Sequence, residues 1–237
     1  MIIYKHFPEI QAFSFDLDDT LFNNGPIIQK AEQALQAYIA AHYPDLNTLS
    51  LQDWQSARNK ALSKTPELRS DMGAWRKATL REACDIADVA IKLRASVVRD
   101  CFDYFYHQRS NFSVPEASKQ VLAQLAEKKP LVAITNGNVN LEQIGIAGYF
   151  SVIVKASLDM PMKPHPKMFE FAQQELGIPC RNIMHVGDHL EKDVYGALSA
   201  GFSAAWFACN RPMNLAHERL RVLPHVHLSH LSELNDL

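Results

Sequence analysis

The segment Phe13-Ser-Phe-Asp-Leu-Asp-Asp-Thr20 carries an apolar run straight into three carboxylates, Asp16, Asp18 and Asp19. Side chains two apart in an extended chain point the same way, so Asp16 and Asp18 can address one reacting group. Two carboxylates ~4 Å apart repel by about 4 kcal/mol at an effective dielectric of ~20, so the pair calls for a bound cation or a shared proton. A hard, oxygen-seeking metal answers that demand. An isolated Asp-x-Asp is more often a plain acidic turn, and its meaning depends on what stands at the other strand ends.

Three further features stand there. Thr135-Asn136-Gly137 closes the run Leu131-Val-Ala-Ile and can offer a hydroxyl and backbone N–H donors to an oxyanion, although such a tripeptide alone is more often a turn. Lys163 lies in Met162-Lys-Pro-His-Pro166, where the prolines stiffen the chain and can aim it inward, although a lysine taken singly is more often a solvated surface residue. His185-Val-Gly-Asp-His-Leu-Glu-Lys-Asp193 again runs a strand into acids. Gly187 permits close approach to Asp188, and Asp193 falls in the first helical turn, where it also reads as a helix-start carboxylate.

The elements that must position these groups follow from short apolar runs. Ala12–Leu17, Leu131–Thr135, Val152–Lys155, Ile183–Val186 and Ser203–Phe207 read as buried parallel strands, with helices over Pro166–Leu176 and Lys192–Ala200. That rhythm predicts an α/β fold with a doubly wound, mainly parallel, Rossmann-like sheet. About 110 residues separate the first strand from the second, against the ~30 residues of one βαβ unit. The intervening pattern is helical, with Ile27, Ala31, Leu35 and Ile39 on one face and Val97, Cys101, Tyr104 and Phe105 on another. Residues 1–22 and 113–237 are therefore expected to form a catalytic core domain and residues 23–112 an inserted all-helical domain. The tail from His225 is expected to add an edge strand carrying His225 and His227, then a short helix.

Composition narrows the function classes. With 24 Lys plus Arg against 26 Asp plus Glu and a formal net charge of −2, there is no electrostatic case for nucleic-acid or membrane partners. Four scattered cysteines predict neither a zinc ribbon nor a disulfide framework. No leader or spanning segment is read, so a cytoplasmic protein is expected, with a small-molecule phosphate ester left open as its partner.

FDLDDT, ITNG, KP and GDxxxxD, in that order and with a long helical insert after the first, resemble the haloacid dehalogenase-like hydrolase superfamily. The resemblance implies Asp16 as nucleophile, forming an aspartyl-phosphate, and Asp18 as general acid and base. It implies that Thr135 and the Asn136 backbone N–H hold phosphoryl oxygens while Lys163 neutralises charge. It further implies Mg²⁺ bound by Asp16, the Asp18 main-chain carbonyl and Asp188, with Asp193 in support. Asp18 favours a phosphatase over a dehalogenase, because a departing alkoxide needs a proton and a halide does not.

Within the superfamily, Phe22-Asn-Asn-Gly25, Asp71-Met-Gly-Ala-Trp-Arg76, ITNGN and HVGD look most like the YigB group of bacterial phosphatases. That group is associated with FMN and 5-amino-6-(5-phosphoribitylamino)uracil. The resemblance makes the insert a substrate-selecting cap, with Trp75 a stacking surface and Arg76 an anion contact, although such a pair is more often packing plus a salt bridge. Where the group has a second acid after the motif aspartate, this chain has His189. Sugar-phosphate or nucleotide phosphatase, phosphomutase and, outside catalysis, a phospho-accepting signalling module remain the alternatives.

Overall fold

Runs of β-branched, aromatic and small apolar residues bounded by turn residues become the strands of the sheet. The computed structural model describes residues 1–237. Its seven strands are β1 (Ile2–Ile3), β2 (Ala12–Phe15), β3 (Leu131–Thr135), β4 (Val152–Lys155), β5 (Ile183–Gly187), β6 (Ser203–Trp206) and β7 (Val226–His227). They lie in the order β1-β7-β6-β5-β2-β3-β4, antiparallel only at β1–β7. The doubly wound parallel sheet expected from the apolar runs is thus present. From β2 the order leads to β3 and β4 on one side and to β5, β6 and β7 on the other, so β2 sits at the topological switch point, beyond whose carboxyl end ligands bind.

Two strand expectations need correction. The first expected strand, β2, ends at Phe15 and its last ladder bond comes from Asp16 N–H, because Leu17 already accepts hydrogen bonds from Thr20 and Leu21 in the turn that follows. The tail strand β7 is not an edge: it is flanked by β6 and β1, which places His227 on an interior strand with His225 just before it. His225 accepts a hydrogen bond from Ala204 N–H through Nδ1 at 3.1 Å, and His227 packs its ring on Trp206.

The chain divides into two compact units. One consists of Gly25–Phe112 with Asn138–Asn140, the other of the remaining segments. The helical unit contains α1 (Asn24–His42), the single turn α2 (Pro44–Asn47), α3 (Leu51–Lys64), α4 (Met72–Ile86) and α5 (Ile91–Arg109). Ala31, Leu35 and Ile39 from α1 meet Ala57, Leu80, Cys84, Val97, Cys101 and Phe105 in its core, the stripes expected from the 3.6-residue period. Ser50 and Asp53 form a capping box at the start of α3, and Asp71 caps α4 by accepting from Ala74 N–H. Asn140 N–H donates to Ser110 Oγ at 3.0 Å, joining the short segment after β3 to the end of α5.

The sheet unit adds α6 (Glu116–Ala126), α7 (Lys167–Leu176) and α8 (Gly196–Ser199), the last entered through a π-helical turn, Leu190–Tyr195. Met168, Phe169 and Ala172 from α7, with Leu190, Val194 and Ala197 from the π turn and α8, bury one face of the sheet over Val132, Ile134, Ala204 and Trp206. This packed layer holds the strand ends in place. No helix of the chain is long and apolar enough to cross a membrane.

Candidate active site

Register delivers the first acid. Phe15 pairs with Ala133 on one side and Val186 on the other, and Asp16 N–H continues the ladder to Val186 O at 2.9 Å. Asp16 therefore emerges between β3 and β5 with its backbone fixed. Beyond it the chain folds over: Asp19 takes φ +64°, a left-handed conformation that Asp tolerates better than most residues, and its N–H donates to Phe22 O at 2.8 Å. This turn lays Asp18 against the loop after β3. A Cβ at Gly137 would collide with the Asp18 carboxylate and lie 3.3 Å from Thr135 Oγ1, so Asp18, Thr135 and Gly137 share one small space. Gly137 N–H donates to Thr135 Oγ1 at 2.9 Å.

Lys163 is the pivot. Its side chain is 1% exposed, and Nζ reaches Asp16 Oδ1 at 2.8 Å, Asp193 Oδ1 at 2.7 Å and Ile134 O at 2.6 Å. An ammonium has three protons to give, and all three have acceptors. The solvated reading is thereby removed. Asn136 clasps the lysine's backbone from both sides, its Oδ1 accepting from Lys163 N–H at 2.8 Å and its Nδ2 donating to Lys163 O at 3.0 Å. The sequence singled out Asn136 for its backbone N–H; its amide as a clamp on Lys163 was not foreseen.

Asp193 sits on the π turn, a widened helical turn often found at functional sites. Its Oδ2 accepts from His189 N–H at 2.9 Å, the helix-start role, while Oδ1 takes Lys163 and lies 3.4 Å from His185 Nε2. Asp193 thus closes the helix start with one oxygen and faces Lys163 with the other. Gly187 makes this possible, because a Cβ there would run into the Asp193 carboxyl group. His189 stands as the N-cap, its Nδ1 accepting from Glu191 N–H at 3.2 Å and Lys192 N–H at 3.3 Å. Behind Asp193, His185 is fully buried with Nδ1 2.8 Å from Ser14 Oγ. Sequence reasoning missed that pair; its only signal was the inward alternation of both residues on adjacent strands.

Charge in the site is unevenly held. Burial pushes the Asp16 carboxyl well above the usual carboxylate range, Lys163 pulls it down, and Asp193 and Asp18 raise it again. Burial also works against the Asp193 anion, but Lys163 and then His185 hold it below the ordinary range. Burial drives the His185 imidazole down to about 4, so it is neutral at physiological pH. Asp188 is raised to about 6 by burial and by Asp193, against the pull of Arg211, whose Nη1 lies 2.8 Å from Asp188 Oδ2.

Asp16, Asp188 and Asp193 each place one carboxylate oxygen within 4.8 Å of the others. Three oxygen donors crowded in this way, two of them held above their normal range, suit a hard divalent cation that would restore both anions. The donor set therefore fits such an ion.

Trp75 and Arg76 lie on α4. Trp75 Nε1 donates to Arg58 O at 3.4 Å with the Arg58 guanidinium 4.3 Å above its ring, and Arg76 pairs with Glu32 while stacking 3.4 Å over Phe105. Both side chains have packing and pairing roles inside the helical unit.

Known proteins resemble the chain over most of its length. Residues 10–201 match the family model for haloacid dehalogenase-like hydrolases. 5-Amino-6-(5-phospho-D-ribitylamino)uracil phosphatase YigB of Escherichia coli strain K12 is 34% identical over 240 residues, spanning 100% of both chains. Glyceraldehyde 3-phosphate phosphatase of Pyrococcus furiosus is 26% identical over 204 residues, 84% of this chain and 80% of that one. The crystal structure of a 2-haloacid dehalogenase from Pseudomonas syringae pv. Tomato DC3000 superposes with a TM-score of 0.88 at 29% identity, over 96% of this chain and 97% of that one. With its acids, lysine and Thr-Asn-Gly loop gathered at the sheet's switch point, the chain belongs to the haloacid dehalogenase-like hydrolases.

Proposed function

We propose that the protein is a Mg²⁺-dependent phosphomonoesterase that passes through an aspartyl-phosphate on Asp16 and takes 5-amino-6-(5-phosphoribitylamino)uracil or FMN as substrate. It is a phosphatase. The observation that carries the mechanism is the Lys163 ammonium, 2.8 Å from Asp16 and 2.7 Å from Asp193 in a site closed to water on that side. A dianionic phosphoryl group repels a carboxylate nucleophile, so cationic groups must cancel charge before the two can meet.

In this scheme an Asp16 carboxylate oxygen attacks phosphorus, the bond from phosphorus to the alkoxide oxygen breaks, and Asp18 gives its proton to that oxygen. Asp18, now a carboxylate, takes a proton from water; the water oxygen attacks phosphorus, and the bond to Asp16 breaks to release inorganic phosphate. Thr135, whose oxygen already accepts Gly137 N–H and whose O–H is free to donate, holds phosphoryl oxygens together with the Asn136 N–H. Mg²⁺, held by the Asp16 and Asp188 carboxylates and the Asp18 carbonyl with Asp193 in support, would supply further neutralisation of the phosphoryl charge. Asp18 also separates the phosphatase reading from the dehalogenase name of the similar crystal structure, and from a signalling module, whose acyl phosphate an adjacent acid–base would destroy.

Gly137→Ala tests the placement of Asp18. The substitution forces the Asp18 carboxylate aside, and because the displaced group is the end of a side chain, the fold should accommodate it. The expected outcome is a fall in kcat of about 10²-fold with little change in melting temperature, read by phosphate release and thermal unfolding.

The substrate assignment is supported by the full-length similarity to the ribitylaminouracil phosphatase. In the helical unit, Trp75 is proposed as a stacking surface for the ring system and Arg76 as an anion contact. A phosphate-release screen with Mg²⁺ over FMN, the ribitylaminouracil phosphate, sugar phosphates and nucleotides tests this. The flavin-pathway compounds should lead, and Trp75→Ala should cost them about tenfold in kcat/KM, the loss of one stacking contact of ~1.4 kcal/mol. A lead by sugar phosphates, indifferent to the substitution, would refute the substrate and leave the chemistry intact.

A further inference from the structure

Arg211, on the segment after β6, turns both terminal nitrogens of its guanidinium to Asp188. Nη1 donates to Asp188 Oδ2 at 2.8 Å and Nη2 to Asp188 O at 2.8 Å. That same carbonyl already accepts Trp206 Nε1–H at 2.8 Å, so the backbone of Asp188 is anchored without the arginine. What Arg211 alone contributes is a permanent positive charge against one oxygen of a carboxylate that belongs to the acidic cluster. The arginine is itself steadied by Glu218, 3.5 Å from Nε. Farther along the segment, Arg221 pairs with Glu191 at 2.6 Å and stacks 4.5 Å over Tyr195, tying the strand of chain to the π turn that carries Asp193.

We propose that Arg211 is a positioning residue that stands in for the cation at Asp188 and so sets how tightly the acidic cluster takes Mg²⁺. The inference rests on the cation reading of Asp16, Asp188 and Asp193 given above. A guanidinium beside Oδ2 neutralises the crowded acids when no ion is bound and opposes a dication arriving at the same carboxylate. Removing that charge therefore leaves the ion-free site less stable and the ion more strongly held. A purely orienting arginine would act in the opposite sense, since its loss would free the Asp188 side chain and weaken binding.

The test is Mg²⁺ titration by calorimetry on the full chain, with no substrate present, for wild type, Arg211→Met, Arg211→Gln and Arg211→Lys. Both neutral variants should bind Mg²⁺ about tenfold more tightly, and the lysine variant, which keeps the charge, should stay near wild type. Two neutral variants are included so that a folding defect in one leaves the comparison standing. Arg221→Ala, which breaks the neighbouring bridge to Glu191 without touching Asp188, should leave Mg²⁺ affinity unchanged. Melting curves supply an independent reading: Arg211→Met should melt lower than wild type in chelator and gain more from added Mg²⁺. Equal or weaker Mg²⁺ binding by both neutral variants overturns the proposal. Absence of Mg²⁺ uptake by the wild type overturns instead the cation reading beneath it.

Discussion

Asp16→Asn is expected to lower kcat by about 10⁴-fold or more, because it removes the atom that forms the covalent bond while Asp18, Thr135 and Lys163 stay in the chain. The variant should still fold. Asp16 is buried and its carboxyl is already held above the usual range by burial, Asp193 and Asp18, so a neutral amide of the same shape relieves repulsion, although it also weakens the contact with Lys163. Phosphate release from an aryl phosphate measures the loss, and chemical trapping during turnover should label Asp16 in the wild type and nothing in the variant. Wild-type velocity in Asp16→Asn would end the proposed mechanism, whatever the substrate.

Lys163→Met is expected to cost both stability and rate. The lysine side chain is 1% exposed and bridges two carboxylates and a main-chain carbonyl. Deleting one partner of a buried ion pair leaves uncompensated charge, and losses of about 3–5 kcal/mol are usual. Urea unfolding in chelator should show that loss. Added Mg²⁺ should recover more stability in the variant than in wild type, because an ion that binds only the folded state is favoured most where the acids lack another cation. A fall in kcat of about 10³-fold should persist at saturating Mg²⁺, since in the proposed mechanism the ammonium also offsets the charge that develops at phosphorus. Lys163→Arg should not restore activity: a planar fork cannot replace a compact ammonium among acceptors at 2.6, 2.7 and 2.8 Å in a closed site. A variant as stable as wild type in chelator would show that the pairing contributes little.

His189, where the resemblance leads one to expect a second acid, has a structural role. An N-cap needs an acceptor, and the unprotonated Nδ1 supplies one to Glu191 and Lys192 N–H. The acidic cluster of Asp16, Asp188 and Asp193 is complete without it.

Much of this was legible in the order of residues because it depends on near neighbours. The alternation that aims Asp16 and Asp18 the same way, the apolar runs that become β2 to β6, and the helical stripes of α1 and α5 are properties of a few consecutive residues in each case. Even the placement of the Asp16, Thr135 and Asp188 motifs at the ends of β2, β3 and β5 followed from where each run stops. Lys163, in the loop between β4 and α7, and Asp193, on the π turn, were legible as members of a motif set, and the structure brings them together with Asp16.

What each group touches was decided only in three dimensions. Ser14 meets His185 across 171 residues, Lys163 meets Asp16 across 147, Asn136 clasps Lys163 across 27, and Arg211 reaches Asp188 across 23. These pairs exist because β5 and β3 flank β2, β4 lies beside β3 and β6 beside β5 in a fixed register, and strand order is a choice made by the packing of the whole sheet. The same packing turned β7 from an expected edge into an interior strand. Sequence alone determined which residues could carry the chemistry, since that is written in residue type and local spacing. Tertiary structure determined their partners and hence their charge, since burial and long-range pairing set the energy of an ionised group.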